Sequence, residues 1–110
     1  MAKPIKVSLL EHERFELKPK SGGGQLSYEV WGYRERGKAV VTRYNLAYIN
    51  HDICQADNGR VLGFDNGHGY HRRHRMGKIE EVEFRSYEAT LELFQQEWQE
   101  IVNQIRGRKS

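Results

Sequence analysis

Residues 26–50 read LSYEVWGYRERGKAVVTRYNLAYIN, and this stretch decides the fold. Aromatic and β-branched residues, which favour strands, are frequent in 26–33 and again in 39–49. Arg36-Gly37 lies between the two runs. The stretch therefore predicts an antiparallel β-hairpin that reverses at Arg36-Gly37.

The second arm of this hairpin has a two-residue hydrophobic period. Because successive side chains of a strand point to opposite faces, Tyr44, Leu46 and Tyr48 share one face. We predict that this face packs on the core. The opposite face holds Val41, Arg43, Asn45, Ala47 and Ile49.

Weaker patterns precede the hairpin. Residues 5–9 and 13–18 alternate apolar and polar side chains, which predicts two short strands. Residues 18–25, KPKSGGGQ, are a loop by composition. The three consecutive glycines make it the most flexible stretch expected in the chain.

The chain after the hairpin also contains turn and strand signals. Asn58-Gly59 is the favoured pair for a two-residue type I′ turn. Residues 61–64, VLGF, predict a further strand. Residues 65–77 follow it directly, so we expect them to leave the sheet at a strand end.

The clearest element is a C-terminal helix from about residue 87 to 106. Ser86 precedes it as a suitable N-cap, and Gly107 follows it as a suitable C′ residue. Strands followed by one long helix predict an α+β fold, an antiparallel β-sheet with the helix packed on one face. The apolar residues recur at spacings of three and four, in the order Tyr87, Leu91, Phe94, Trp98, Ile101, Val102 and Ile105.

Length and composition indicate one domain, 1–110, with a polar bias. No apolar run approaches the length of a membrane span. The single cysteine, Cys54, excludes a disulfide framework within one chain and fits a reducing cytoplasm. The net charge is +3, but residues 80–100 hold seven glutamates and one arginine. We therefore expect one positive and one negative end, of which the positive one would suit a polyanion.

Residues 65–77, DNGHGYHRRHRMG, are the unusual part of the sequence. They hold three of the five histidines, beside arginines and glycines. Three interpretations compete: a metal site, a phosphate or nucleic-acid site, and a basic loop that is simply solvated.

A metal site is the weakest of the three. His68, His71 and His74 follow the spacing i, i+3, i+6, and zinc readily takes imidazole ligands. On a strand, however, His71 would face away from the other two. The neighbouring arginines would also repel a divalent cation. We expect no metal and no other cofactor.

A phosphate site uses these residue types more fully. Arginine binds phosphate through two parallel N–H groups, and histidine transfers protons near neutral pH. Metal-independent RNA cleavage needs a base, an acid and a cation for the phosphorane. In this interpretation His68 and His71 are acid and base, and Asp65 orients a histidine. Tyr70 stacks on a base or donates a proton. The candidate proton-transfer groups are His68, His71 and His74, and the candidate phosphate ligands are Arg72, Arg73 and Arg75. The hypothesis requires them to converge on one concave surface.

The run VVTRYNLAYINHDICQADNGRVLGFDNGHGYHRRHRMG, residues 40–77, resembles the TumE-like family of small bacterial proteins. These are regarded as toxins of toxin–antitoxin pairs. The resemblance extends from about residue 27 to the terminal helix. Its most specific part is DNGHGYHRRH, an Asp-Asn motif followed by clustered histidines, after a strand with Arg43-Tyr44. The site residues it implies are Asp65, Asn66, His68, His71, His74 and Arg43.

The resemblance implies growth inhibition through RNA cleavage that blocks translation. It also implies a cognate helix-turn-helix antitoxin. The leading hypothesis is thus a cytoplasmic, metal-independent ribonuclease toxin whose partners are RNA and this antitoxin. The alternative is a non-catalytic module that binds nucleic acid or protein. A homodimer remains an open alternative, and no membrane partner is expected.

Overall fold

The computed structural model describes residues 6–108, which form one six-stranded antiparallel sheet and one C-terminal helix. Each strand pairs with the next one in sequence, so the sheet is an antiparallel meander. The predicted α+β fold with a helix on one sheet face is confirmed. The elements are β1 (Ser8–Glu16), β2 (Gln25–Glu35), β3 (Lys38–Ile49), β4 (Arg60–Asp65), β5 (Arg72–Arg75), β6 (Lys78–Glu81) and α1 (Tyr87–Arg108).

The central hairpin, β2–β3, matches its prediction closely. Arg36 and Gly37 join the strands with φ angles of 51° and 80°. Two consecutive positive φ angles are typical of a type I′ turn, whose twist suits a two-residue hairpin. The predicted core face is also confirmed, since Tyr44, Leu46 and Tyr48 are at most 1% exposed.

Helix α1 covers this face and completes the core. Its side chains Phe94, Ile101 and Val102 are buried in one apolar cluster with the inward side chains of β2, β3 and β4. The predicted N-cap is confirmed, because the N–H of Ala89 donates to Ser86 Oγ at 3.0 Å. The predicted C′ glycine is wrong, since the helix continues through Gly107. A single glycine costs a helix about 1 kcal/mol and does not by itself stop it.

The N-terminal region forms one strand rather than the two short strands predicted. Strand β1 pairs with β2 from Ser8 to Glu16, and Ile5 lies outside the described residues. The register shifts between Leu9 and Glu11. This irregularity absorbs the break in apolar alternation that suggested two strands.

The prediction of a two-residue turn at Asn58-Gly59 is wrong. Strand β3 ends at Ile49, and a long loop precedes β4. Asp57, Asn58 and Gly59 have φ angles of 52°, 55° and 81° in a 3-10 turn at the end of this loop. The Asn-Gly pair does adopt the left-handed backbone that it favours. The pairing of Asn50 N–H with Gly59 O at 2.8 Å closes a longer loop instead.

Residues 65–77 do not stay outside the sheet as predicted. After a short loop they form β5, and Met76-Gly77 turns the chain into β6 with φ angles of 49° and 84°. The register places Arg72 opposite Glu81 and Arg73 opposite Glu80. Opposite charges directly across two strands stabilise the pair, which explains why so polar a segment is a strand.

The predicted glycine loop, residues 18–25, is closely attached to the rest of the molecule. Tyr48 Oη donates to Gly23 O at 2.9 Å. A Cβ at Gly24 would lie 2.5 Å from Ile49 O, so this position requires glycine for the close approach. Within residues 6–108, no helix combines the length and apolarity needed to cross a membrane.

Candidate functional site

The alternation of β5 separates its four basic residues between the two sheet faces. Arg73 and Arg75 point to the face covered by α1. There, Arg73 Nη1 donates to Glu97 Oε1 at 2.7 Å, and Arg75 Nη1 donates to Glu97 Oε2 at 3.4 Å. The two predicted phosphate ligands therefore bind the helix. Arg72 and His74 point to the opposite face, which we call the outer face.

His74 is a buried structural residue. It is 4% exposed, and its two ring nitrogens contact Asp57 Oδ2 and Asp65 Oδ2, each at 2.9 Å. The ring therefore bridges the two carboxyl groups through both of its nitrogens. His74 therefore joins the β3–β4 loop to β4 and is not accessible to a substrate.

His71 belongs to an aromatic cluster on the helix side. Its ring stacks on Phe84, with centroids 3.8 Å apart, and Tyr44 Oη lies 2.7 Å from its Nδ1. Burial raises the pKa of Tyr44 to about 12, although a hydrogen bond with Thr90 lowers it. The Tyr44 hydroxyl thus keeps its proton, and it shares a hydrogen bond with His71 Nδ1. His71 is in this way held apart from His68.

The outer face holds a small polar cleft, which we call the arginine cleft. Its volume is about 230 Å³. This is less than the roughly 300–1,000 Å³ of pockets that enclose whole organic ligands, so it suits one ionic group. Three guanidiniums and one carboxylate line it, an excess of two positive charges before the histidine is counted. The residues that define the arginine cleft are Arg43, Arg60, Arg72, Asp65, Gly67 and His68.

Asp65 lies buried beneath the cleft and organises it. Its Oδ1 accepts from the Gly67 N–H at 3.2 Å and from Arg72 Nη2 at 3.3 Å. Arg60 Nη1 lies 3.9 Å from Oδ2, the oxygen that also contacts His74. One carboxylate therefore positions two arginines and the loop that carries His68.

Two arginine side chains of the cleft lie close to glycines. A Cβ at Gly63 would lie 2.6 Å from Arg60 Cδ, so the Arg60 stem lies across this glycine. A Cβ at Gly67 would lie 3.7 Å from Arg43 Nη2. The cleft is thus formed by long cationic side chains that lie over small residues of the sheet and loop.

Arg43 and His68 differ from the other charged groups of the cleft. Across residues 6–108, neither side chain has a hydrogen bond or ion pair, and both are exposed. Arg72 Nε is buried and has no partner within the same range. The N–H groups of Arg43 and the His68 ring are therefore available to an incoming anion.

The structure places the other two predicted residues beside the cleft. Asn66 fixes the loop, because its Oδ1 accepts the Tyr44 N–H at 2.9 Å and its Nδ2 donates to Thr42 O at 3.0 Å. Tyr70 is 45% exposed, and the Arg72 guanidinium lies 5.7 Å from its ring centroid.

The expected convergence of all the imidazoles and guanidiniums on one surface is therefore wrong. The arginine cleft unites Arg43, Asp65, His68 and Arg72, whereas the remaining basic residues of 65–77 lie elsewhere. Arg60 was not identified from the sequence as a site residue. The available signals were its position at the start of β4 and the presence of Gly63 two positions before Asp65.

Two further features bear on the choice of site. Within residues 6–108, no group of three His, Cys, Asp or Glu side chains is arranged to hold a metal ion. A larger cavity of about 750 Å³ lies between the glycine loop and the end of α1. Its lining is mainly apolar and contains none of the predicted site residues, so we place the candidate site at the arginine cleft.

No protein-family model, curated protein or solved structure matches this chain. The resemblance to the TumE-like family accordingly stays a prediction.

Proposed function

We propose that the arginine cleft binds a phosphate of the RNA backbone and that the protein is a ribonuclease toxin that acts without a metal ion. The observation that carries this proposal is the group of three guanidiniums around the unpaired His68 in a cleft of phosphate size. Guanidinium forks match phosphate oxygens, and a phosphate would accept hydrogen bonds from the unpaired N–H groups of Arg43.

The charge distribution supports RNA binding at this face. Helix α1 lies on the other side of the sheet, and its exposed surface carries Glu88, Glu92 and Glu100. A polyanion is repelled from that side and attracted to the arginine cleft. The molecule would therefore meet RNA in one orientation.

His68 is the residue that would transfer the proton. As a base it takes the proton of the 2′-hydroxyl, whose oxygen attacks phosphorus while the bond to the 5′-oxygen breaks. A water molecule protonates the leaving 5′-oxygen, which leaves a 2′,3′-cyclic phosphate and a 5′-hydroxyl. The arginines stabilise the charge that builds on the phosphorane oxygens.

The decisive experiment incubates the purified protein with labelled RNA in the presence of EDTA. We expect cleavage that persists in EDTA and products with cyclic phosphate ends. His68→Ala should slow cleavage about 100-fold or more, which is the usual contribution of a proton-transfer group. Arg43→Ala should weaken RNA binding and reduce its salt dependence.

Arg34→Ala is the matched control, because it removes the same charge next to the turn of the central hairpin. It should leave cleavage and binding unchanged. Loss of cleavage in EDTA would favour metal chemistry instead. Full cleavage by His68→Ala would exclude the proposed role of this histidine.

A second candidate function is RNA binding without catalysis. The observation that favours it is that His71 and His74 are both engaged in internal contacts, which leaves one free imidazole near the cleft. In the same assay this candidate predicts intact RNA, bound in an Arg43-dependent way. The toxin function further implies growth arrest on expression, relieved by an antitoxin that covers the cleft.

A further inference from the structure

We propose that Trp31 is a base-stacking platform beside the arginine cleft, and that the RNA strand bound there is single-stranded. This inference rests on the proposed function, because it names the form of RNA that the same face would take.

The sheet register places Trp31 next to the cleft. Trp31 on β2 pairs directly with Arg43 on β3. Its neighbour Val30 is 3% exposed on the core side, so Trp31 points to the outer face, where it is partly exposed. Directly paired residues have Cβ atoms about 5 Å apart, so a base on this indole would adjoin a phosphate held by Arg43.

The indole ring is held in one orientation. Trp31 Nε1 donates to Glu29 Oε1 at 2.9 Å, and both residues lie on the outer face of β2. This bond uses the polar edge of the ring and leaves its flat surface for stacking. A ring already fixed loses little conformational entropy when a base binds to it.

A second exposed aromatic lies on the other side of the cleft. Tyr70 contacts the Arg72 guanidinium just before β5, three strand spacings from β2, which is roughly 14 Å. A basic cleft between two aromatic side chains is the usual arrangement of single-strand binding sites, because unpaired bases stack on rings while the backbone meets cations. A duplex keeps its bases stacked inside and cannot offer them to Trp31.

The test measures the affinity of the full chain for three fluorophore-labelled probes by fluorescence anisotropy: a short single-stranded RNA, its duplex, and an abasic strand of the same length. We expect the wild type to bind the intact strand about tenfold tighter than the abasic strand. Binding should quench Trp31, whereas Trp98 packs against the core. The duplex should bind more weakly than the single strand.

Trp31→Leu should lose most of the preference for the intact strand, and it should bind the abasic strand with the affinity of the wild type. Trp31→Tyr should restore most of the preference, because it restores a ring. Phe15→Leu is the matched control, since it changes an exposed aromatic that contacts Tyr28 on the core side of the sheet. It should keep the full preference.

Equal binding of intact and abasic strands by the wild type would overturn the inference without any variant. An undiminished preference in Trp31→Leu, or a duplex bound as tightly as the single strand, would do the same. These outcomes test only whether a base stacks on Trp31. Failure of the proposed function appears separately, as unchanged affinity for the abasic strand in Arg43→Ala and Arg72→Ala.

Discussion

At the scale of single residues, three histidines spaced three apart have three different environments. His68 is exposed at the arginine cleft, His71 stacks on Phe84, and His74 is buried between two carboxylates. Only the first is available to a ligand on the outer face. Removing all three together would therefore mix a loss of chemistry with a loss of stability.

We expect His74→Gln to lower the free energy of unfolding by about 3 kcal/mol, because it removes the buried ring that joins the half-buried Asp57 to the buried Asp65. The control is His68→Gln, an exposed change that should stay within about 0.5 kcal/mol of the wild type. Urea unfolding followed by fluorescence measures both. Equal stability of the two variants would show that His74 is not the structural residue described above.

At the scale of elements, β5 contributes side chains to both faces of the sheet because its side chains alternate. One face supplies Arg72 to the arginine cleft. The other face supplies Arg73 and Arg75, which donate hydrogen bonds to Glu97 on α1. Arg73 also pairs with Glu80 on β6. A short strand of charged residues thereby connects the candidate site to the helix behind it.

We expect Glu97→Gln to cost about 2 kcal/mol of stability, since charged hydrogen bonds to Arg73 and Arg75 are lost at a side chain that is only 10% exposed. Glu100→Gln is the control, because Glu100 is exposed and accepts a hydrogen bond from its helix neighbour Gln96 at 3.2 Å. Thermal unfolding of the single variants and of Glu97→Gln with Arg73→Gln gives the coupling energy. A coupling near zero would contradict this role for the pair.

At the scale of the whole molecule, the sheet separates an aromatic core from the polar outer face. The core side holds Tyr28, Tyr44, Tyr48 and Tyr87, and burial is the main cause that raises the pKa of each. These hydroxyls keep their protons in the folded state at a pH where they would ionise in the unfolded chain.

Stability should therefore be lost at alkaline pH. A tyrosine pKa that is higher in the folded state favours folding fully below the unfolded value of 10.0, and this contribution disappears as the pH rises through the folded value, about 12 for Tyr44. For Tyr44 the loss of stability is roughly 2–3 kcal/mol.

Urea unfolding from neutral pH to about 12 measures this loss. Tyr44→Phe should flatten the decline in stability over this pH range, whereas Tyr70→Phe, at an exposed tyrosine, should not. Equal slopes of stability against pH in the wild type and both variants would argue against the buried-tyrosine explanation.

The fold was largely predictable because its main signals are local. The period of two in β3 and the period of three to four in α1 each determine which side chains face the core, and Arg36-Gly37 gives the turn between β2 and β3. The errors occurred where partners distant in sequence decide the backbone. Strand β5 exists because β4 and the glutamates of β6 lie beside it, which its own composition does not reveal.

The sequence by itself determined the α+β architecture, the buried face of the sheet and a basic segment next to β4. Only the tertiary structure decided which basic side chains meet. Strand alternation sends Arg72 and Arg73 to opposite faces, and the sheet register brings Arg43 of β3 and Arg72 of β5 to the cleft formed with Arg60 and Asp65 of β4. A cleft is a property of side chains that are close in space, so its membership depends on register and on which face each strand presents.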